Sequence, residues 1–115
     1  MRKREGPFFR ALGEGAQRRL ELVREGKKIL DFLVQLEIET EEPGTWRPIV
    51  RYDTAHGIPH RDQYNREGRQ RKEFLDARFD IFTGYRDIVE EALQDIAERW
   101  SVYRDRYLRG EWPIP

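Results

Sequence analysis

Apolar and polar positions along this chain keep two different periods. In "KKILDFLVQLEIET", Phe32, Val34, Leu36 and Ile38 alternate with Asp31, Leu33, Gln35 and Glu37. That period of two belongs to a half-buried strand. "EEPGT" interrupts it, Pro43-Gly44 being a strong turn signal. "TWRPIVRYD" resumes it with Trp46, Val50 and Tyr52 on one face. Pro48 lacks an N–H, which predicts an edge or a bulge there. Two more extended stretches, about 60–64 and about 69–75, flank "NREG", whose Asn65 and Gly68 suit a turn. After Thr83 the period lengthens. Tyr85, Val89, Ala92, Leu93, Ile96, Ala97, Trp100, Tyr103 and Tyr107 recur every three or four residues, as in an amphipathic helix. Thr83 is its expected N-cap, Asp87, Glu90 and Glu91 suit its positive end, and Gly110 and Pro113 stop it.

The first quarter is less periodic. Residues 1–13 read as a loosely held basic arm with Phe8, Phe9 and Leu12 as anchors. Ala16 to Glu25 reads as a short helix, since Leu20 and Val23 lie three apart and Gly26 suits a C-cap. The pattern therefore predicts an α+β fold. An antiparallel three- to four-stranded β-meander is backed by a long C-terminal helix, with a short N-terminal helix before it. The arm spans 1–13 and a single domain spans 14–115.

Composition narrows the function classes. At 115 residues and 13.9 kDa the chain suits one core, and 38% charged residues predict a heavily charged surface. No apolar run approaches the roughly 18 residues of a membrane span, and "MRKREGPFFRALGEG" lacks the h-region of a signal peptide. A cytoplasmic location without membrane association is the expectation. The chain has no cysteine, which removes disulfides, thiolate zinc sites and cysteine nucleophiles. There is no Gly-rich phosphate loop and no G-x-S-x-G, and the only serine, Ser101, lies inside the predicted helix. No cofactor is expected. Net charge is zero but segregated. Residues 1–28 hold nine Lys/Arg against four Glu, and 29–44 hold five acids and no base. Residues 45–72 hold seven bases against three acids, and 73–115 six against ten. Such blocks predict a basic face for anions and an acidic face for a basic partner, or a solvated surface with internal ion pairs.

Both histidines of the chain fall in "RYDTAHGIPHRD", Arg51 to Asp62. Gly57 and Pro59 exclude the helix an H-E-x-x-H zinc motif needs. Three chemistries remain open. His56 and His60 could serve as acid and base on a phosphodiester, with Arg51 and Arg61 stabilising the phosphate charge. The histidines with Asp53 or Asp62 could bind a divalent ion. Or the stretch is a turn whose Asp53 and Thr54 bond to backbone. Downstream, Arg66, Arg69, Arg71 and Lys72 place four cations on a hairpin, suited to phosphates or to keeping a sheet edge from pairing.

The run from Val34 to Leu75 resembles a group of small uncharacterised prokaryotic proteins. They share a tryptophan-arginine strand (here Trp46, Arg47), an R-Y-D-x-A-H-G-x-x-H-R-D loop and a basic hairpin before a C-terminal helix. It is more distantly similar to the TumE-like toxins of toxin–antitoxin pairs. That resemblance implies a growth-inhibiting protein acting on RNA and neutralised by an antitoxin-like partner chain. The chain departs from it in having Arg61-Asp62 after His60, with no further histidine.

The expectation is thus a toxin-like, ribonuclease-like protein with His56, His60, Arg51 and Arg61 as its site. Its alternatives are a non-enzymatic nucleic-acid or protein binding module, or a homodimeric structural protein whose surplus aromatics form an interface.

Overall fold

The alternating run around Val34 is the third of six strands in the computed structural model, which describes residues 1–76 and 78–115. The strands are β1 (Arg2–Gly13), β2 (Ala16–Glu25), β3 (Lys28–Glu39), β4 (Trp46–Asp53), β5 (His60–Tyr64) and β6 (Gln70–Phe74). Neighbours are antiparallel and the spatial order is the sequence order, so the sheet is a six-stranded meander. A short 3₁₀ turn, Ala55–Gly57, joins β4 to β5, and one helix, α1 (Arg86–Leu108), follows the sheet.

This corrects the expected three- to four-stranded meander with a short N-terminal helix. Ala16 to Glu25 is strand β2, and residues 2–13, expected as a loose arm, are strand β1. Leu20 and Val23 do lie three apart, but Leu20 and Leu22 lie two apart, and the second spacing wins. Leu20 stands opposite Val34 and Leu22 opposite Phe32, so both join the apolar face of β3. Burial against a neighbouring strand overrides a short helical pattern of this kind. Gly26, with φ +60°, is a hairpin turn residue rather than a helix cap. Pro48 sits where the β3–β4 register shifts between Leu36 and Glu37.

One face of the sheet carries the core. Phe32, Val34, Leu36 and Ile38 of β3, Val50 and Tyr52 of β4 and Leu22 of β2 are buried there against Ile88, Val89, Ala92, Ile96, Tyr103 and Tyr107 of α1. Each fully buried aliphatic side chain contributes roughly 1.5–3 kcal/mol. The helix begins at Arg86, not at the expected Thr83 cap, because the preceding turn is fixed elsewhere. Asp80 accepts hydrogen bonds from the Phe82 and Thr83 amides at 2.7 and 3.0 Å. Ile29 then donates to Thr83 O at 3.0 Å and accepts from Tyr85 N at 2.9 Å, stitching the helix start to β3. Gly84 makes this approach possible. Its φ is +65°, and a Cβ there would lie 2.0 Å from Ile29 O.

Polar ties complete the helix layer. The Asp95 carboxylate accepts from Tyr52 Oη, from Tyr103 Oη at 2.6 Å and from Arg99 at 3.0 Å. Arg61 donates to Tyr52 Oη at 3.4 Å and to Glu73 at 2.6 Å. After the helix, Arg106 Nε holds Trp112 O at 2.9 Å, the Ile114 amide donates to Gln63 Oε1 at 3.0 Å, and Pro113 is fully buried.

Two outcomes follow. Gly84→Ala meets both a positive φ and the Ile29 backbone, so it should lower unfolding free energy by more than about 2 kcal/mol in a urea titration. Burial, then the hydrogen bond to Asp95, pushes the Tyr52 and Tyr103 hydroxyls well above the ordinary tyrosine value of about 10. The neutral hydroxyl is the favoured form in the fold. The stability it contributes is complete below pH about 10 and is lost as pH rises through the folded values. An ultraviolet titration of the native protein should therefore leave these two tyrosines un-ionised at pH about 10, and Tyr52→Phe should remove one of them.

Candidate functional site

The sheet face away from the helix is polar. It follows from strand parity: if Tyr52 and Arg61 point to the helix side, then Asp53, His60 and Asp62 point to the other. Asp53 ends β4 and His60 begins β5, and the two are direct cross-strand partners. Asp62 lies two residues further along β5 on the same face. Three ligand-type side chains are thereby gathered by backbone pairing alone, with their nearest O and N atoms within 4.8 Å of one another. All three are buried, with side-chain exposures of 10, 3 and 4% for Asp53, His60 and Asp62.

The imidazole is held from one side and aimed to the other. His60 Nδ1 lies 2.9 Å from Ile58 O, a contact that requires the ring to donate its Nδ1–H. Nε2 then faces Asp53 Oδ1 at 2.7 Å and Asp62 Oδ2 at 3.4 Å. The ring edge meets Phe74, with centroids 6.3 Å apart. Asp53 Oδ1 also accepts from Ala55 N at 3.1 Å. Asp62 Oδ1 is buried without a hydrogen-bond partner. A buried carboxylate oxygen without a donor is costly unless a cation completes it.

Arg51 does not complete it. Although directly opposite Asp62 in the register, it donates Nε to Gln35 Oε1 at 2.5 Å and lies over the Tyr64 ring at 5.7 Å. Gln35 in turn donates to Glu37, which also accepts from Gln17 at 2.8 Å. Gln35, Glu37 and Tyr64 thus belong to the site's surroundings, and strand parity with Asp53 and Asp62 is the signal that could have found them. Burial raises the Tyr64 hydroxyl above its ordinary range, Arg51 opposes this, and Asp62 and Asp53 add to it.

Of the expected catalytic residues, His60, Arg51 and Arg61 do not converge on one point. His60 is buried with both ring nitrogens engaged, Arg51 is committed to Gln35 and Tyr64, and Arg61 is on the opposite face with Tyr52 and Glu73. The side chain of His56 lies outside the described residues. The hairpin cations are largely engaged by the fold itself. Arg66 donates to Leu108 O at 2.7 Å, Arg71 lies over Trp112 at 4.2 Å, and Arg69 stands 3.6 Å from Glu67. Among the described residues Lys72 is the hairpin cation without such a tie. Beside the cluster, Asp53 also lines a cavity of about 460 Å³, whose walls include Arg4, Glu21, Asp31, Leu33 and Thr54.

The family model described as Domain of unknown function (DUF7718) matches residues 1–112. The chain belongs to that family. The match takes in every element from β1 to α1, so the DUF7718 unit contains the whole sheet, the helix and the Asp53–His60–Asp62 cluster. Neither a curated protein nor a solved structure matches the chain. Among the described residues of this DUF7718 chain, no helix is long and apolar enough to cross a membrane.

Stability should separate the two kinds of polar residue here. Glu37→Ala leaves the Gln17 and Gln35 amides without their acceptor, at about 1–3 kcal/mol. Asp62→Asn removes a buried charge that lacks a full set of partners. Measured by urea unfolding in chelator, it should be neutral or stabilising.

Proposed function

We propose that this protein is a divalent-cation-binding domain whose centre is Asp53, His60 and Asp62, and that the cation acts on a small ligand or a phosphodiester at the adjoining cavity. The observation that carries the reading is the arrangement around Nε2. Nδ1 is held by Ile58 O, which aims Nε2 between two buried carboxylates, and Asp62 keeps its other oxygen unpartnered.

Geometry and charge support it together. Metal bonds of about 2.1 Å at right angles put neighbouring ligand atoms about 3 Å apart. The separations of 2.7 and 3.4 Å bracket that value. Two carboxylates and one neutral imidazole cancel a divalent charge. The hydrogen bond from Nδ1 to Ile58 O is the outer contact that orients a ligating histidine. The mixed oxygen and nitrogen set suits Mn²⁺, Fe²⁺ or Zn²⁺ better than Ca²⁺. Three protein ligands leave positions for water or substrate. Asp53 is shared by the cluster and the cavity, so a ligand seated there is next to the ion.

An action on RNA remains the phosphodiester form of this proposal. It runs through the cation rather than through paired histidines, because His60 offers no free ring nitrogen. A second reading has its own observation. The 2.7 Å contact to Asp53 is a hydrogen-bond distance, so a protonated imidazole could tie the two strands as a structural element.

Thermal unfolding and calorimetry with Mn²⁺, Zn²⁺ and Mg²⁺ decide between them. The proposal expects one of these ions to raise Tm, with about 2.7 kcal/mol of stabilisation at a hundred times its Kd. Asp53→Asn and Asp62→Asn should each abolish the response while staying folded. If no ion shifts the wild type, and Asp62→Asn unfolds more easily, the cluster is a structural tie. RNA incubated with and without the bound ion then tests the phosphodiester form.

A further inference from the structure

On the other face of the sheet, β1 and β2 set two arginines against each other. Arg10 and Arg18 are direct cross-strand partners, so their side chains leave the same face with Cβ atoms about 5 Å apart. Like charges in that relation are destabilising. The other two arginines of β2 each have an acid nearby: Arg19 lies 3.0 Å from Glu21 and Arg24 3.4 Å from Glu5, although Arg24 Nε also lacks a hydrogen bond. Among the described residues Arg10 and Arg18 have no such acid. Arg18 is half-buried, and its Nε is buried without a hydrogen-bond partner. Burial, and then the charge of Arg10, hold the Arg18 guanidinium below its ordinary range.

Backbone pairing places these two positions near the end of the sheet that Trp100 covers. Arg18 lies between Ala16, which is buried, and Leu20 along β2, and it stands opposite Leu36 of β3. The next step along the face, Gly13 opposite Ala16, lies under the Trp100 ring, so closely that a Cβ on Gly13 would come 2.5 Å from it. Arg104 lies over the same ring at 4.7 Å and donates to Glu14 O at 3.0 Å. The two arginines therefore lie one step along the face from the Trp100 ring, with Arg18 Nε desolvated and, among the described residues, no acid paired to either.

We infer that Arg10 and Arg18 form a seat for a phosphate group, at a site separate from the Asp53–His60–Asp62 cluster. Two adjacent guanidinium groups match a tetrahedral dianion, each able to give it two parallel N–H donors. The ligand also removes the repulsion between them. A single carboxylate carries half the charge and fits one fork.

The test is thermal unfolding and calorimetry with inorganic phosphate, against chloride at equal ionic strength, for wild type, Arg10→Gln and Arg18→Gln. Arg10 is exposed, so Arg10→Gln keeps the fold even if Arg18→Gln does not. Phosphate should raise the Tm of the wild type beyond the chloride control. Loss of either guanidinium should weaken binding by roughly ten- to a hundredfold, the worth of one charge-assisted contact. Without phosphate, Arg10→Gln should unfold at the same or a higher temperature than wild type, because the like-charge pair is gone. A ribonucleoside 5′-monophosphate tested in parallel separates sources: an equal shift marks the free ion, and a larger one marks a phosphate carried on a nucleotide. No phosphate-specific shift in the wild type, or a full shift in both variants, overturns the inference.

Discussion

Strand β3 is buried on both faces, and each face is buried by a different means. Toward the helix it presents Phe32, Val34, Leu36 and Ile38, which leave water by apolar packing. On the far side it presents Gln35 and Glu37, also buried, which need hydrogen bonds to be there at all. Gln17 from β2 and Arg51 from β4 supply them. The strand is thus locked in register twice. A one-residue slip would put carboxylates and amides under the helix and valine and leucine on the polar side. Because β4 takes its register from β3, and β5 from β4, this lock also sets where Asp53 meets His60.

The strand alternation from Phe32 onward and the helical period after Tyr85 were legible because each is long and consistent. Ala16 to Glu25 was not, because its two apolar spacings disagree and the deciding partner, β3, is distant in sequence. The candidate cluster was legible as one of three open readings of the loop. Reading neighbours along the loop joined His56 and His60 to Arg51 and Arg61 for phosphodiester chemistry, or to Asp53 or Asp62 around a cation. Reading parity across the hairpin joins Asp53, His60 and Asp62 and sends Arg61 to the other face, where Tyr52 and Glu73 hold it. What no pattern could supply was the Ile58 carbonyl behind the ring, or the turn of Arg51 away from Asp62 toward Gln35.

The charge blocks also acquire a different meaning in the fold. A meander keeps strands in sequence order, so consecutive blocks become adjacent stripes rather than opposite faces. The basic β1–β2 pair lies beside acid-bearing β3, which lies beside β4 with Arg47 and Arg51. Within the basic β1–β2 pair the register sets like charges opposite each other twice, Lys3 against Arg24 and Arg10 against Arg18, and Arg24 has Glu5 3.4 Å away.

The order of elements has one more consequence, for a chain made from its N-terminus. All six strands precede the helix that covers them. Hairpins can form as they emerge, since each strand pairs with its predecessor. The apolar side of β3 and β4 nevertheless stays wet until residues 86–108 have left the ribosome, a matter of seconds at roughly 5–20 residues per second. Helix docking through Ile29 and Gly84 is then the step that closes the core. A nascent chain stalled before Tyr85 would display an uncovered apolar sheet, the kind of surface that chaperones bind.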